Sequence, residues 1–223
     1  MTGVIGETSS RAATNELLAG LSDGQWRPRA WVRFLCRAAQ RSAQQARLHP
    51  RALAEVTVLH AVLAAVAPRK RAAWTLSSWA LAASHLGMLE HRSSIGLAGA
   101  VTLIRANLPT FGEHRWLAAV ALASDLIDGR IARRLGTVSP FGAAADSLAD
   151  AAFWVWFVHR HEPSRWVRTA ALLAWAMPVV SVTAASVRRG QMVDAPRSSL
   201  LRPAAALQAI LTARAVRPGA NRG

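Results

Sequence analysis

The amino-acid sequence predicts an all-α protein, a polytopic integral membrane helix bundle of about five to six spans with a basic N-terminal helix that is cytoplasmic or interfacial. Hydrophobic residues make up 52% of its 223 residues, and the mean hydropathy is +0.19. These residues are gathered into apolar stretches, and several tryptophans lie near the ends of those stretches. Tryptophan is enriched at membrane–water interfaces. The pattern therefore favours helices in a bilayer, and the length of the chain favours one domain.

Seven apolar stretches predict the helices in chain order. A full crossing of the ~30 Å hydrocarbon core needs ~20 helical residues. Residues 167–187 reach that length, and residues 72–89 and 141–158 come close to it. Residues 53–67 form a shorter stretch that includes Glu55, which predicts a re-entrant or interfacial segment. The complete set is 53–67, 72–89, 95–109, 116–128, 141–158, 167–187 and 199–216.

The N-terminal part of the chain is first polar and then strongly basic. Residues 1 to about 24 are rich in Ser, Thr and Gly, which predicts disorder. In residues 25–48 an arginine recurs every four residues. These arginines are Arg29, Arg33, Arg37 and Arg41. The pattern fits either an amphipathic helix on an anionic leaflet or a solvated basic helix packed against the protein itself.

Charge and cysteine content limit the partners. The net charge of +15 comes almost entirely from arginine, with Lys70 as the only lysine, a skew typical of a high-GC bacterial genome. A basic chain favours anionic lipid or nucleic acid; we predict no nucleic-acid partner, because the arginines form no recognisable binding motif. Cys36 stands alone, which excludes an intramolecular disulfide and a cysteine-based zinc site.

We divide the chain into a basic segment at 1–48, a membrane-embedded domain at 49–216 and a tail at 217–223.

Basic clusters predict the orientation in the membrane. They lie at residues 68–71, 130–134 and 188–189 and compete for the cytoplasmic side. The last two clusters can both be cytoplasmic, because the stretches 141–158 and 167–187 separate them. We therefore expect a multi-pass protein of the cell membrane.

Four of the six aspartates lie inside the apolar half of the chain. They are Asp125, Asp128, Asp146 and Asp150. Burying a carboxylate in apolar surroundings costs several kcal/mol unless a positive charge compensates it. Residues three or four apart share one face of a helix, so each pair of aspartates projects from one side of its helix. If the two faces pack together, the carboxylates form an oxygen-rich cage that suits hard cations such as Mg²⁺ or Mn²⁺.

Small residues and an arginine accompany these aspartates. Gly129 and Gly142 lack a Cβ at positions where a ligand or a neighbouring backbone has to come close. Arg133 offers a planar guanidinium suited to a phosphate. The combination predicts a site for a phosphate ester or a pyrophosphate.

These residues together resemble the signature of the CDP-alcohol phosphotransferase family, D-x2-D-G-x2-A-R-x8-G-x3-D-x3-D. The fixed positions are filled by Asp125, Asp128, Gly129, Ala132, Arg133, Gly142, Asp146 and Asp150. The resemblance is tight over roughly residues 102 to 158. It implies an integral membrane enzyme that transfers a substituted phosphate from a CDP-linked donor, commonly CDP-diacylglycerol, to an alcohol and releases CMP. The basic clusters at 130–134 and 188–189 predict that this site lies near the cytoplasmic face.

The resemblance also implies roles for these side chains. Two ions, Mg²⁺ or Mn²⁺, would be held by Asp125, Asp128, Asp146 and Asp150. Asp150 would in addition act as the general base on the acceptor hydroxyl. The nucleotide pocket would be formed by Gly129, Ala132, Arg133 and Gly142.

A second element precedes the aspartates. Thr102-Leu-Ile-Arg105 resembles the L-T-x-x-R element at the start of the family's first core helix. Arg105 would either hold a donor or acceptor phosphate or snorkel at a helix end. The 19 residues between Arg105 and Asp125 are too few for two crossings, and Pro109 and Gly112 predict a shortened hairpin.

Several alternatives stay open at this point. The aspartates could pair with Arg130, Arg133 and Arg134 in a buried ion-pair network. A divalent-cation transporter also lines its path with membrane aspartates, and a catalytically silent scaffold would keep the fold alone. The partners expected from the resemblance are a CDP-diacylglycerol-type donor, a hydroxyl acceptor and membrane lipid, with a homodimer left open. Glycerol phosphate, inositol phosphate, inositol, serine and another phospholipid all remain candidate acceptors.

Overall fold

A computed structural model describes residues 10–193 and 202–216 of the chain. The described part is helical, as the sequence predicts, and contains nine α-helices. They are α1 (Ser10–Asp23), α2 (Pro28–Leu48), α3 (Pro50–Val66), α4 (Ala72–Ser84), α5 (Gly96–Ala106), α6 (Leu117–Arg134), α7 (Pro140–His161), α8 (Arg165–Arg189) and α9 (Arg202–Val216). Each of the seven apolar stretches overlaps one of the helices α3 to α9.

Two helices end earlier than the apolar stretches that contain them. Helix α4 stops at Ser84, and the chain continues in a 3₁₀ turn at Leu86–Leu89. Helix α5 stops at Ala106 and is followed by a 3₁₀ turn that contains Pro109. Proline has no N–H to donate to a helix, and it disfavours the helical conformation of the residue before it. The short connection from α5 to α6 agrees with the predicted hairpin.

The N-terminal segment differs from the prediction of disorder up to about residue 24. Residues 10–23 form helix α1, whose side chains Leu18 and Leu21 are buried. The middle of α1 contacts the segment that follows α8, since the backbone N–H of Met192 donates to Asn15 Oδ1 at 2.7 Å. These contacts offset the polar composition that favours disorder. Residues 1–9 and the tail at 217–223 lie outside the described residues.

Contacts between connecting segments define two ends of the bundle. At the Gly136 end, Arg92 Nη2 donates to the carbonyl of Gly136 at 2.7 Å. At the Glu113 end, Arg160 Nε donates to Glu113 Oε2 at 2.7 Å. Helices α3 to α9 run alternately between these ends, so that α7 and α9 point the same way. Helices α1 and α2 lie at the Gly136 end, beside the turns that connect the other helices.

Helix α7 lies between two hydrophobic clusters. Near its start, Phe141 packs with Val56 of α3 and Leu103 of α5. Near its end, Trp154 packs with Trp175 of α8, with stacked rings whose centroids are 6.1 Å apart. Because both clusters hold α7, the polar residues between them have a fixed position relative to α5 and α6.

Helix α8 is, within the described residues, the one helix long and apolar enough to cross a membrane by length and composition. Its most apolar segment has a mean hydropathy of 1.8, and 18% of that segment is buried inside the protein. Helix α5 is apolar but shorter. The helical architecture is therefore confirmed, whereas the number of spans stays a prediction.

Candidate active site

The turn between α6 and α7 brings the two pairs of aspartates together. After the last residues of α6, Gly136 adopts a left-handed conformation with φ +60°. The N–H of Thr137 then donates to the carbonyl of Ala132 at 2.8 Å, and the N–H of Gly136 faces the carbonyl of Arg133 at 3.4 Å. This is the Schellman arrangement that ends a helix, and it requires a positive φ that glycine adopts without strain.

Helix α7 begins three residues later with a matching start signal. Ser139 caps the helix, since its Oγ accepts the backbone N–H of Gly142 at 3.0 Å. Pro140 occupies the first helical position, where the missing N–H costs nothing. The sequence therefore determines where the chain reverses, and the reversal places Asp146 opposite Asp128.

Three of the four aspartates that the sequence predicts as metal ligands converge. One carboxylate oxygen from each of Asp125, Asp128 and Asp146 lies within 4.8 Å of the other two. Asp128 is buried, whereas the side chains of Asp125 and Asp146 are 32% and 44% exposed. Asp150 follows one turn later on α7 and is 19% exposed. The aspartates form one cage with a buried side and an open side.

Arg105 of α5 occupies the centre of this cage. Its side chain is completely buried, and its guanidinium contacts all four carboxylates. Nη1 lies 3.0 Å from Asp128 Oδ2 and 3.3 Å from Asp125 Oδ1. Nη2 donates to Asp146 Oδ1. Arg105 therefore contacts the aspartates. The sequence predicted instead that it either binds a phosphate or snorkels at a helix end.

The contact between Arg105 and Asp150 is of a different kind. Nε lies 3.1 Å from Asp150 Oδ1, but the two groups are not aligned for a hydrogen bond. Asp150 Oδ1 is buried and has no hydrogen-bond partner among the described residues. This oxygen therefore has a charged neighbour but no hydrogen bond that would have to break before it accepts a proton or binds a cation.

Two further residues hold the carboxylates and were not assigned a role from the sequence. Thr102 Oγ1 donates to Asp128 Oδ2 at 2.8 Å. Gln208 Nε2, from α9, donates to Asp150 Oδ2 at 3.1 Å. Thr102 stands one turn before Arg105, so its position next to the cage follows from helix periodicity. Gln208 is a lone amide in an apolar stretch, and a buried polar side chain needs a partner.

A cavity of about 500 Å³ opens beside the cage and is lined by seven of the eight motif residues. The seven are Asp125, Asp128, Gly129, Ala132, Arg133, Gly142 and Asp146. Arg133 lies along α6 above Gly129, where an added Cβ would approach Arg133 Nη1 to 3.3 Å. Glycine therefore leaves the guanidinium room on this face. The size and lining of the cavity suit a charged ligand of nucleotide class.

The residues present fit a hard divalent cation. The potential ligand atoms that converge around Arg105 are carboxylate oxygens, which Mg²⁺ and Mn²⁺ prefer. The buried Asp150 Oδ1 also lacks a hydrogen-bond partner. Within the described residues, the cage pairs with Arg105 rather than with Arg130, Arg133 or Arg134. The predicted alternative of an ion-pair network through those three arginines is not what the structure contains.

Comparison with known proteins identifies the family. The model of the CDP-alcohol phosphatidyltransferase family matches residues 93–216, which is more than half of the chain and includes the whole cage. Searches of curated proteins and of solved structures find no match. The family is membrane-associated, generally depends on divalent metal ions, and transfers a phosphate-linked group from a CDP-alcohol. The chain belongs to the CDP-alcohol phosphatidyltransferase family.

Proposed function

We propose that this transferase moves a phosphatidyl group from CDP-diacylglycerol to an alcohol acceptor, with release of CMP, as a step of phospholipid biosynthesis. The observation that carries the proposal is the aspartate cage facing a cavity of about 500 Å³ lined by Gly129, Ala132, Arg133 and Gly142. A cytidine diphosphate needs counter-charge for its pyrophosphate and room for its nucleoside. Divalent ions held by the cage, together with Arg133, would supply the positive charge, and the small residues supply the room.

The aspartates would hold one or two divalent ions. Asp125, Asp128 and Asp146 are the ligands for the first, and Asp150 takes part in holding the second. When bound, Mg²⁺ or Mn²⁺ neutralises the donor pyrophosphate and polarises its phosphorus. Arg133 binds the donor phosphate from the side of the cavity.

Asp150 accepts the proton of the acceptor hydroxyl. Gln208 fixes its Oδ2, so the unpartnered Oδ1 is the atom that takes the proton. The acceptor oxygen forms a bond to the phosphatidyl phosphorus, and the bond from that phosphorus to the bridging oxygen breaks. CMP leaves with the electron pair.

The surface of the bundle supports a multi-pass arrangement in the membrane. Large apolar side chains on α3 are exposed, with Val58, Val62 and Val66 each more than half accessible. Leu76 of α4 and Val179 of α8 are exposed to a similar extent. A lipid environment would cover these side chains, whereas water would not favour them.

The distribution of basic residues supports a cytoplasmic site. Helices α6 and α8 both finish at the Gly136 end, where they carry the clusters at 130–134 and 188–189. The arginines of α2 lie at the same end. The positive-inside tendency would place this end, and the cage with it, at the cytoplasmic face of the cell membrane.

The test is a CMP-release assay on the purified chain in lipid, with CDP-diacylglycerol and a panel of polyol, amino-alcohol and phosphorylated acceptors. We expect CMP release that depends on one acceptor, stops in EDTA and returns with Mg²⁺ or Mn²⁺. Full release in excess EDTA would contradict the metal-dependent mechanism. Cation flux into liposomes without CMP release would favour the transporter alternative, and neither activity would favour the scaffold.

A further inference from the structure

Arg105 occupies the place that a divalent ion would need. Its Nη1 and Nη2 contact Asp125, Asp128 and Asp146. These are the same three residues whose oxygens converge within 4.8 Å. Arg105 is therefore a cation already bound at the convergence point of the carboxylates.

The position of Arg105 has an electrostatic reason. Four carboxylates near one another, partly removed from water, repel each other unless positive charge compensates them. A buried guanidinium with its donors spread in a plane can contact several carboxylates at once. It supplies one positive charge against four negative charges, so the cage keeps a net negative charge that attracts further cations.

A divalent ion and the guanidinium compete for the same three carboxylates. A Mg²⁺ ion binds its oxygen ligands at about 2.1 Å and takes them in a nearly octahedral arrangement. A guanidinium nitrogen 3.0 Å from Asp128 Oδ2 would then lie close to the ion, and the two like charges would repel strongly in surroundings poor in water.

We propose that Arg105 is an internal counter-ion of the cage, which holds the four carboxylates together before metal binding and has to leave Asp125, Asp128 and Asp146 when the ion binds. The inference rests on the proposed function in one respect, namely that the cage is a metal site. Arg105 is thus a positioning residue, because it acts on the reaction only through the carboxylates, by controlling whether they bind a metal ion.

Two consequences follow for the protein without substrate. Removing the guanidinium leaves the carboxylates uncompensated, so the metal-free protein loses stability. The same change removes a competitor, so a divalent ion binds more tightly. Stability of the metal-free protein would thus fall while affinity for the divalent ion rises. Loss of a residue that merely helps to build the metal site would instead lower both stability and affinity.

The experiment compares wild type with Arg105→Met and Arg133→Met, purified as full chains and studied without donor or acceptor. Arg133→Met is the matched control, because it removes the same charge beside the same cavity but pairs with none of the four aspartates. The melting temperature is measured in EDTA, and Mn²⁺ binding is measured by electron paramagnetic resonance.

We expect Arg105→Met to melt at a lower temperature in EDTA and to bind Mn²⁺ about tenfold more tightly than wild type, a common size for coupling between two binding events. Arg133→Met should change Mn²⁺ affinity far less. Unchanged or weaker Mn²⁺ binding by Arg105→Met overturns the proposal, and so does an equal gain in the control.

A second variant covers the case in which Arg105→Met does not fold. Arg105→Lys keeps the buried charge but has a single nitrogen that reaches fewer carboxylates. We expect its Mn²⁺ affinity to lie between that of wild type and that of a chain without the charge; unchanged or weaker binding here also overturns the proposal. A third outcome separates the two proposals. If Arg105→Met binds Mn²⁺ more tightly than wild type, but wild type releases no CMP with any acceptor, the proposed function is contradicted and this inference stands.

Discussion

Gln208 on the last described helix donates a hydrogen bond to Asp150 Oδ2, so α9 contacts the carboxylate that we propose as the base. The two residues are 58 positions apart in the chain, and the amide of Gln208 is buried. The bond occupies one oxygen of Asp150 and leaves the other without a hydrogen-bond partner. In the proposed mechanism, Oδ1 is then the oxygen that takes the proton of the acceptor.

Gln208→Leu should therefore lower kcat with little change in KM for CDP-diacylglycerol. Asp150 keeps its charge in this variant but loses its orientation, and the loss of such a supporting hydrogen bond typically costs about 10- to 100-fold. Steady-state CMP release measures both constants. Thr212→Val is the control, since Thr212 lies one turn away on α9 and donates to the Gln208 carbonyl rather than to the cage. Equal losses in both variants would mean that α9 contributes through packing alone.

Asp150→Asn should separate chemistry from binding. The variant keeps the shape of the side chain and should still bind CDP-diacylglycerol, while kcat falls about 10²- to 10⁴-fold because the general base is lost. Asp128→Asn should also weaken donor binding, since Asp128 is one of the three converging ligands and is the acceptor for Thr102. Donor binding is measured by equilibrium binding of labelled CDP-diacylglycerol, with Asp23→Asn on α1 as a charge-matched control. Near-normal turnover by Asp150→Asn would assign the proton to another group.

The motif predicted the cage well because the information lies in local spacing. Asp125 and Asp128 share one helix face by periodicity, and Gly136 with Ser139 sets the turn that brings Asp146 opposite them. The central position of Arg105 was not predictable in the same way. A single sequence does not specify which of many arginines reaches a carboxylate on another helix, because that choice depends on the packing of α5 against α6 and α7.

In the N-terminal helix α1, the prediction from local composition was wrong. Composition favoured disorder for the segment that contains α1, because it is rich in Ser, Thr and Gly. The helix is nevertheless held by the burial of Leu18 and Leu21 and by the bond from Met192 to Asn15. Tertiary contacts of this kind come from residues distant in the chain, so a local reading of composition does not include them.

The ion pairs at the Glu113 end should make a small, pH-dependent contribution to stability. The hydrogen bond from Arg160, with the charges of Arg160 and Arg71, holds the pKa of Glu113 below its usual range. A carboxylate whose folded-state pKa is depressed stabilises the fold above its unfolded-state pKa, and this contribution is lost as the pH falls through the folded-state pKa. Glu113→Gln should thus melt slightly below wild type at neutral pH, and the difference should vanish in acid. Glu16→Gln, an exposed change on α1, is the control, and a difference that persists unchanged in acid would contradict the assignment.

Helix α2 should bind anionic membrane surfaces. Its arginines occupy one side, and Arg29, Arg33 and Arg37 are exposed. On the adjacent side the apolar side chains Val32 and Leu35 are each 60% exposed. An exposed apolar face beside a basic face is the pattern of a helix that lies in a lipid interface. Helix α2 also packs against α1 and α4, so both interpretations left open by the sequence stay predictions that an experiment has to separate.

Substitutions within α2 test this better than deletion of residues 1–48, because deletion would also remove the contacts of α1 with α8. We expect Val32→Gln with Leu35→Gln to leave CMP release in detergent unchanged and to lower it on vesicles. Replacing Arg33 and Arg37 by glutamine should lower activity only on anionic vesicles, since each arginine near such a surface contributes ~1 kcal/mol. This second loss should shrink as added salt shortens the Debye length below ~8 Å. Equal losses in detergent and on vesicles, independent of salt, would mean that α2 supports the fold and that the membrane-surface interpretation is wrong.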